Sequence, residues 1–451
     1  MQAKSAKPLS QTALVFHLSS LGKNNMQHAS RTFACVCAFA LVAGAPSIAM
    51  AEPEPEPGGS VESLLALARE RNPEYASMRH EAQAAGERIA PAGALPDPRL
   101  RVEFEDITKM GEQNPTLLPN RVGGTRYTFM QDLPWFGKRD LKREIASLEA
   151  EGAQGRAMGN WADLSSRIKT GYAQFFYINQ NERLTREILD LMVRLEKIAQ
   201  VRYAGGLAAQ QDVIRTQVEQ TNLKNELIAL ESEGHHVQTQ LNTLVARPAH
   251  APLAQPERLR PLPEPARLDY AALQERVRGR SPQLLTEEAK TRSAEKTREL
   301  TYRNRYPDVT VGVAPLQSGS SIKEWMVMVE MNIPLQQSSR RSQEREAEAM
   351  LAAARSRKES ATNQALAELS QSLSALEAAR RTETTIANSL LPQAELTYQS
   401  ALASYQNGKL DFSTLLDSQR QIRQAKQSQI KVQAEGQARL ADIERLLGEE
   451  L

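Results

Sequence analysis

Four short segments of this chain alternate apolar and polar residues at every second position, the pattern of strands with one apolar and one polar face. In the first, Leu100, Val102 and Phe104 interleave with Arg101, Glu103 and Glu105. In the second, Tyr127, Phe129 and Leu133 interleave with Arg126, Thr128 and Asp132. Val309, Val311 and Val313 surround Thr310 and Gly312 in the third. In the fourth, Trp325, Val327, Val329, Met331 and Ile333 alternate with Met326, Met328, Glu330 and Asn332. Hydrophilic loops, at 107–124 and 315–324, separate the members of each pair. Elsewhere the period lengthens to three and four. Residues 139–202 and 340–404 contain Pro392 as their only proline, and little glycine beyond Gly152, Gly155, Gly159 and Gly171. Each predicts a continuous helix of roughly 95 Å. Return helices over 212–245 and 414–447 are about half as long. Leu184, Ile188, Leu191, Leu195 and Ile198 form a narrow seam, which marks helices lying side by side rather than around one large core. A helix over 61–90 opens the first half, with Leu64, Leu65, Leu67 and Ala68 on its buried side. The N-terminal helix of each half is expected to stack end to end on a return helix.

The plan is written twice. Tyr203-Ala-Gly-Gly206 is matched by Tyr405-Gln-Asn-Gly408, Arg71-Asn-Pro73 by Arg280-Ser-Pro282, Leu95-Pro96-Asp97 by Tyr306-Pro307-Asp308, and Leu133-Pro134 by Ile333-Pro334. The order is kept, and a repeat this long is a duplicated fold rather than a solenoid. The expected organisation is a first repeat over 52–247, a linker over 248–267 and a second repeat over 268–451. The linker stretch holds Pro248, Pro252, Pro256, Pro261, Pro263 and Pro265.

Composition narrows the setting. Residues 32–51 carry no charge, follow a basic region and end in Ala49-Met50-Ala51, a small-x-small cleavage pattern. The expectation is an exported precursor with a signal peptide over 1–51, initiated at Met1 or Met26 and cleaved before Glu52; an N-terminal membrane anchor is the alternative. Both cysteines, Cys35 and Cys37, fall inside that segment, so the mature chain has no disulfide and no cysteine to lipidate. The net charge of +2 becomes −2 once Lys4, Lys7, Lys23 and Arg31 are removed, which argues against a nucleic-acid partner. No other segment resembles a membrane helix, so any membrane crossing has to be made by strands. Alternating strands of this kind suit a barrel with lipid outside and water inside. Four strands cannot close one, but three chains supply twelve. An ordinary four-stranded sheet in a soluble domain gives the same alternation.

Leu95-Pro-Asp-Pro-Arg-Leu100, Gln131-Asp-Leu-Pro-Trp-Phe-Gly-Lys138 and the two Tyr-x-x-Gly turns resemble the TolC family of outer-membrane efflux proteins over about 60–450. The first two motifs look most like the branch serving heavy-metal resistance-nodulation-division pumps. The resemblance implies an α+β membrane protein: a homotrimer with a 12-stranded β-barrel in outer-membrane lipid, four strands per chain, continued by a long α-helical tunnel into the periplasm. It implies a passive conduit, not an enzyme, working with a periplasmic adaptor and an inner-membrane pump. Many relatives carry a lipidated N-terminal cysteine; this chain has glutamate at 52, so anchoring would rest on the barrel.

The same resemblance puts the two tight turns at the periplasmic tip, where the adaptor docks. Gly206 and Gly408 permit the positive φ that a helix reversal needs. Tyr203, Leu207, Tyr405, Lys409 and Leu410 are the other candidate docking residues. Asp212 and Asp417 fall in register with acids that line the tunnel constriction in the family. Three chains would set up to six carboxylates around one axis, a ring that favours cations; acids at a helix start are also favoured by the macrodipole alone. Thr414 stands where some relatives have a further acid. Met326 and Met328 face the same way as Glu330, and thioethers suit Cu(I) or Ag(I), although methionine is more often a filler. No cofactor site, metal site or catalytic set is expected. Mature histidines are His80, His235, His236 and His250, and adjacent His235 and His236 diverge by about 100° on a helix. A periplasmic coiled-coil adaptor is the competing function, but one hairpin would suffice for it, and this chain has two plus four amphipathic strands.

Overall fold

The computed structural model describes residues 57–451. The expected signal peptide, its cleavage site before Glu52 and both cysteines lie outside the described residues. The first half contains α1 (Val61–Arg71), α2 (Pro73–Glu87), α3 (Ile89–Gly93), β1 (Arg99–Glu105), β2 (Gly124–Leu133), α4 (Lys138–Ala204) and α5 (Gln210–Leu244). The second contains α6 (Tyr270–Arg280), α7 (Pro282–Arg303), β3 (Val309–Ser318), β4 (Ser321–Met331), α8 (Gln337–Thr385), α9 (Leu391–Gln406) and α10 (Phe412–Leu447). At 67 residues, α4 spans about 100 Å. Among the described residues, no helix is long and apolar enough to cross a membrane.

The repeated Arg-x-Pro anchors mark joints where one helix ends on another. Asn72 breaks the helix expected over 61–90. Its Oδ1 accepts from the Tyr75 N–H at 2.9 Å and caps α2, with Pro73 at the first helical position, where its missing N–H costs nothing. The Asn72 Nδ2 donates to the Leu244 carbonyl at 2.8 Å, so α2 abuts the end of α5. In the second half, Pro282 starts α7 against Gly448, the left-handed cap that ends α10. Each joint sits over its own apolar core. Leu64, Ile168, Tyr172, Ile178 and Leu241 form one; Leu273, Val277, Leu369, Leu376 and Ile443 form the other.

Two further boundaries differ from expectation for physical reasons. The helix expected over 340–404 is interrupted by a π-helical segment, Ile386–Leu390. Pro392 offers no N–H and its ring crowds the carbonyl one turn earlier, so the backbone widens there. The loop expected at 315–324 is instead mostly strand: β3 and β4 pair from Val309↔Met331 to Ser318↔Ser321. Pro315 is accommodated opposite Trp325, one residue before an irregularity at Leu316 and Gln317, where a ladder tolerates it.

All four strands form one antiparallel sheet in the order β1-β2-β3-β4. The two halves therefore meet at the β2–β3 pair, while β1 and β4 form the two open edges.

Candidate functional site

The sheet register sorts side chains by face as the period-two pattern requires. Leu100 pairs with Phe129, Phe129 with Val313, and Val313 with Val327, so an apolar row crosses all four strands. Val311 and Val329 continue it. This face lies open: Val327 is 75% exposed and Trp325 70%. The opposite face is tied by polar contacts. Arg99 meets Asp132 at 2.7 Å, Asp132 accepts from the Thr310 hydroxyl at 2.6 Å, and Arg126 meets Glu105 at 2.6 Å. Met326 and Met328 lie on this polar face. The register brings a third sulfur to that face: Met130 and Met328 both lie across Gly312. The missing side chain of Gly312 gives both room, which is a packing role.

Where the sheet meets the helices, the Trp-Phe-Gly-Lys motif finds its partner. Asp308 accepts from the Trp135 N–H at 2.8 Å and from the Lys138 Nζ at 2.9 Å. Lys138 also donates to the Tyr306 carbonyl at 2.9 Å, and the Trp135 ring stacks on Tyr306 with centroids 5.4 Å apart. The Pro-Asp anchor of the second half thus grips the end of β2 and the start of α4.

At the far end, the two helical reversals share one geometry. Gly206 and Gly408 have φ of 69° and 72°. Leu207 N–H donates to the Arg202 carbonyl at 2.8 Å, and Lys409 N–H to the Ser404 carbonyl at 2.9 Å. Gly206 and Gly408 N–H bond back to the Tyr203 and Tyr405 carbonyls, each at 3.0 Å. These are paired Schellman caps, which require the left-handed residue. Arg202 locks the turns together: its Nη1 donates to the Tyr405 and Gln406 carbonyls at 2.8 and 2.9 Å. Its guanidinium also lies 4.8 Å from the Tyr405 ring centroid, placing a cation at the negative end of α9. Nothing in the sequence pattern singled out Arg202.

Tyr203, Leu207 and Lys409 are exposed at the tip. Two other expected docking residues turn inward. Tyr405 is buried against Phe412, and Leu410 is half-buried on the same core, because the α9–α10 hairpin needs apolar filling beneath its turn.

Asp212 and Asp417 have different neighbours within one chain. Asp212 is half-buried; burial pushes its carboxyl up, Arg215 opposes this, Asp411 adds to it and Arg202 opposes it, with a net rise. Asp417 is exposed beside Arg420, 3.5 Å away. Arg420 also pairs with buried Glu219 at 2.9 Å. An open groove of about 640 Å³ between α5 and α10 is lined by Ile214, Val218, Glu219, Asp417 and Arg420. Asp411, Glu219 and Arg420 thus belong to the acidic tip although only their fold neighbours reveal it. Among the described residues, no group of three or more His, Cys, Asp or Glu could hold a metal ion.

This architecture, long paired helices hung from a four-stranded sheet, recurs in solved outer-membrane channels. The fold is shared with the solved channel VceC from Vibrio cholerae (TM-score 0.73, 16% identity, 86% of this chain and 96% of that one). It is shared equally with CusC (TM-score 0.74, 16% identity, 88% and 97%) and with the open state of MtrE from Neisseria gonorrhoeae (TM-score 0.70, 14% identity, 87% and 89%). Residues 273–449 match the outer membrane efflux protein family. Across 403 residues the chain is 23% identical to the cobalt-zinc-cadmium resistance protein CzcC of Cupriavidus metallidurans, covering 86% of this chain and 90% of that one.

Proposed function

We propose that three copies of this chain form the outer-membrane exit duct of a tripartite efflux pump. Twelve strands close a barrel in lipid, and the helical hairpins continue it as a periplasmic tunnel whose tip receives an adaptor linked to an inner-membrane pump. The observation that carries this reading is the sheet: one face apolar and open, the other polar, and both edge strands without partners. Strand edges left unpaired in lipid are prohibitive, and ring closure by further copies removes them. The likeness to a cobalt-zinc-cadmium resistance protein supports heavy-metal cations as the exported class, and the acidic tip suits cations.

Planar-bilayer recording tests the reading. The purified protein is expected to form a cation-preferring pore, and the double substitution Asp212→Ala, Asp417→Ala to raise conductance and weaken the preference. An unaltered pore in the double variant would leave both acids as helix-start residues only.

The raised carboxyl of Asp212 fixes the sign of a pH effect. Its folded-state value lies above the unfolded one, so the folded chain binds more protons in that window and its stability falls as pH rises through it. On acidification Asp212 neutralises before an ordinary aspartate does. Cation preference is therefore expected to start falling at higher pH than ordinary carboxylates would give, and Asp212→Asn to remove that step.

The docking role of the tip has its own test. Gly408→Val places a β-branched residue at positive φ, which costs about 1–3 kcal/mol locally. Adaptor capture is expected to be lost while bilayer conductance persists. Capture at wild-type level would detach docking from this turn.

A further inference from the structure

The duplication makes a specific demand on the sheet edges. Inside one chain, the residues just before β3 grip the residues just after β2: Asp308 takes the Trp135 N–H, and Tyr306 stacks on Trp135. The first half repeats the gripping element as Leu95-Pro96-Asp97 just before β1, and the second half repeats the gripped element as Ile333-Pro334-Leu335 just after β4. Their partners are not in the same chain, because β1 and β4 are the opposite edges of the sheet. Both elements are left open. Asp97 is exposed and Leu95 is 42% exposed. Leu335, in the segment between β4 and α8, is 82% exposed. Among the described residues, Asp97 takes part in no side-chain hydrogen bond or ion pair.

We propose that these two half-joints complete each other between copies of the chain. Asp97 accepts from the N–H of Leu335 of the partner subunit, and Leu95 packs on the partner's Leu335 as Tyr306 packs on Trp135. The contact repeats the β2–β3 joint at each β1–β4 junction, so one ring contains the same joint six times, three within chains and three between them. The copies are not identical in strength. Lys138 stands four residues after Pro134, and the matching position after Pro334 is Ser338. The joint between chains therefore has a hydroxyl where the joint within a chain has an ammonium, and it lacks the ion pair. The weaker version falls at the subunit boundary, so the ring opens there before the half-chains separate.

This inference rests on the trimeric reading but can fail without it. The test follows the temperature at which the detergent-extracted trimer dissociates on a gel. Asp97→Ala is expected to lower that temperature without altering the helical content of the chain. Ser338→Lys, which restores the ammonium, is expected to raise it, and the gain is expected to vanish when Asp97→Ala is added. The idea is overturned if Asp97→Ala leaves the temperature unchanged, or if Ser338→Lys gives the same gain with and without Asp97. Failure of the wild-type chain to migrate as a trimer would instead overturn the trimeric reading and this inference with it.

Discussion

Val327→Arg is expected to abolish membrane insertion, while Met326→Arg, one residue earlier, inserts normally. The two positions sit at the same depth in β4 and point to opposite faces of the sheet. Val327 belongs to the apolar row that continues through Val313 and Phe129. Met326 lies on the face that carries Arg99, Asp132 and Glu330. An arginine on the lipid face near mid-bilayer costs about 2–4 kcal/mol per chain, whereas one facing a water-filled interior is tolerated. In an assembly of three chains the first cost is incurred three times. Fractionation followed by heat-modifiability on a gel reads the outcome. Equal behaviour of the two variants would mean that the sheet does not separate lipid from water, and would favour the soluble four-stranded sheet that the alternation alone also permits.

The second large effect lies in the middle of the chain, at a charge cluster that knits both halves and the linker together. Lys169 in α4 and Glu444 in α10 are 8% and 4% exposed at the side chain and lie 2.8 Å apart. Arg260 of the linker reaches Glu444 at 2.6 Å, and Glu450 in the tail adds a second carboxylate to Lys169 at 2.9 Å. The left-handed Gly448 lets the tail fold back to make that contact. Glu444→Leu strips the shared carboxylate from two cations, and breaking a buried pair in this way costs about 3–5 kcal/mol. Urea unfolding of the detergent-extracted protein should show the loss. Adding Lys169→Met should recover much of it, since well-packed apolar pairs replace buried ion pairs with little penalty. Arg280→Ala, at the exposed rim of the same region beside Glu449, is expected to change stability by no more than about 1 kcal/mol. If Glu444→Leu proves as mild as Arg280→Ala, the cluster is solvated and holds nothing.

What the sequence disclosed, and what it hid, follows from the reach of each signal. Period-two alternation made all four strands legible because both faces of the sheet are specified, one by apolar and one by polar residues. The glycine turns were legible because only a residue tolerant of positive φ fits at 206 and 408. The stacking of α2 on α5 could be expected from helix lengths, yet the device that does it, a single Asn72 capping one helix while bonding the last carbonyl of another, could not. Pro315 read as the end of a strand, because proline usually is one, and the ladder ran past it. Pro392 announced a disturbance but not its form. The least legible features were the longest in range. Lys169 and Glu444 are 275 positions apart, and Arg202 reaches carbonyls of the other hairpin 203 and 204 positions away. Neither pairing leaves a periodic trace. For the same reason Asp212 could be placed on a helix start, but its neighbour Asp411 could not be foreseen.

Cysteine crosslinking of the two sheet edges tests the central claim most directly. The mature chain expected from cleavage before Glu52 contains no cysteine, so introduced pairs react without background. In one chain β1 and β4 are separated by two intervening strands, about 14 Å at the usual strand spacing, whereas a disulfide needs Cα atoms within about 7 Å. Chains carrying Val102→Cys together with cysteine at 325, 327 or 329 are therefore expected to crosslink only to other copies. At least one register is expected to give a covalent ladder in outer-membrane fractions that ends at three chains. A chain that stays monomeric at every register, or a ladder that continues past three, would contradict it.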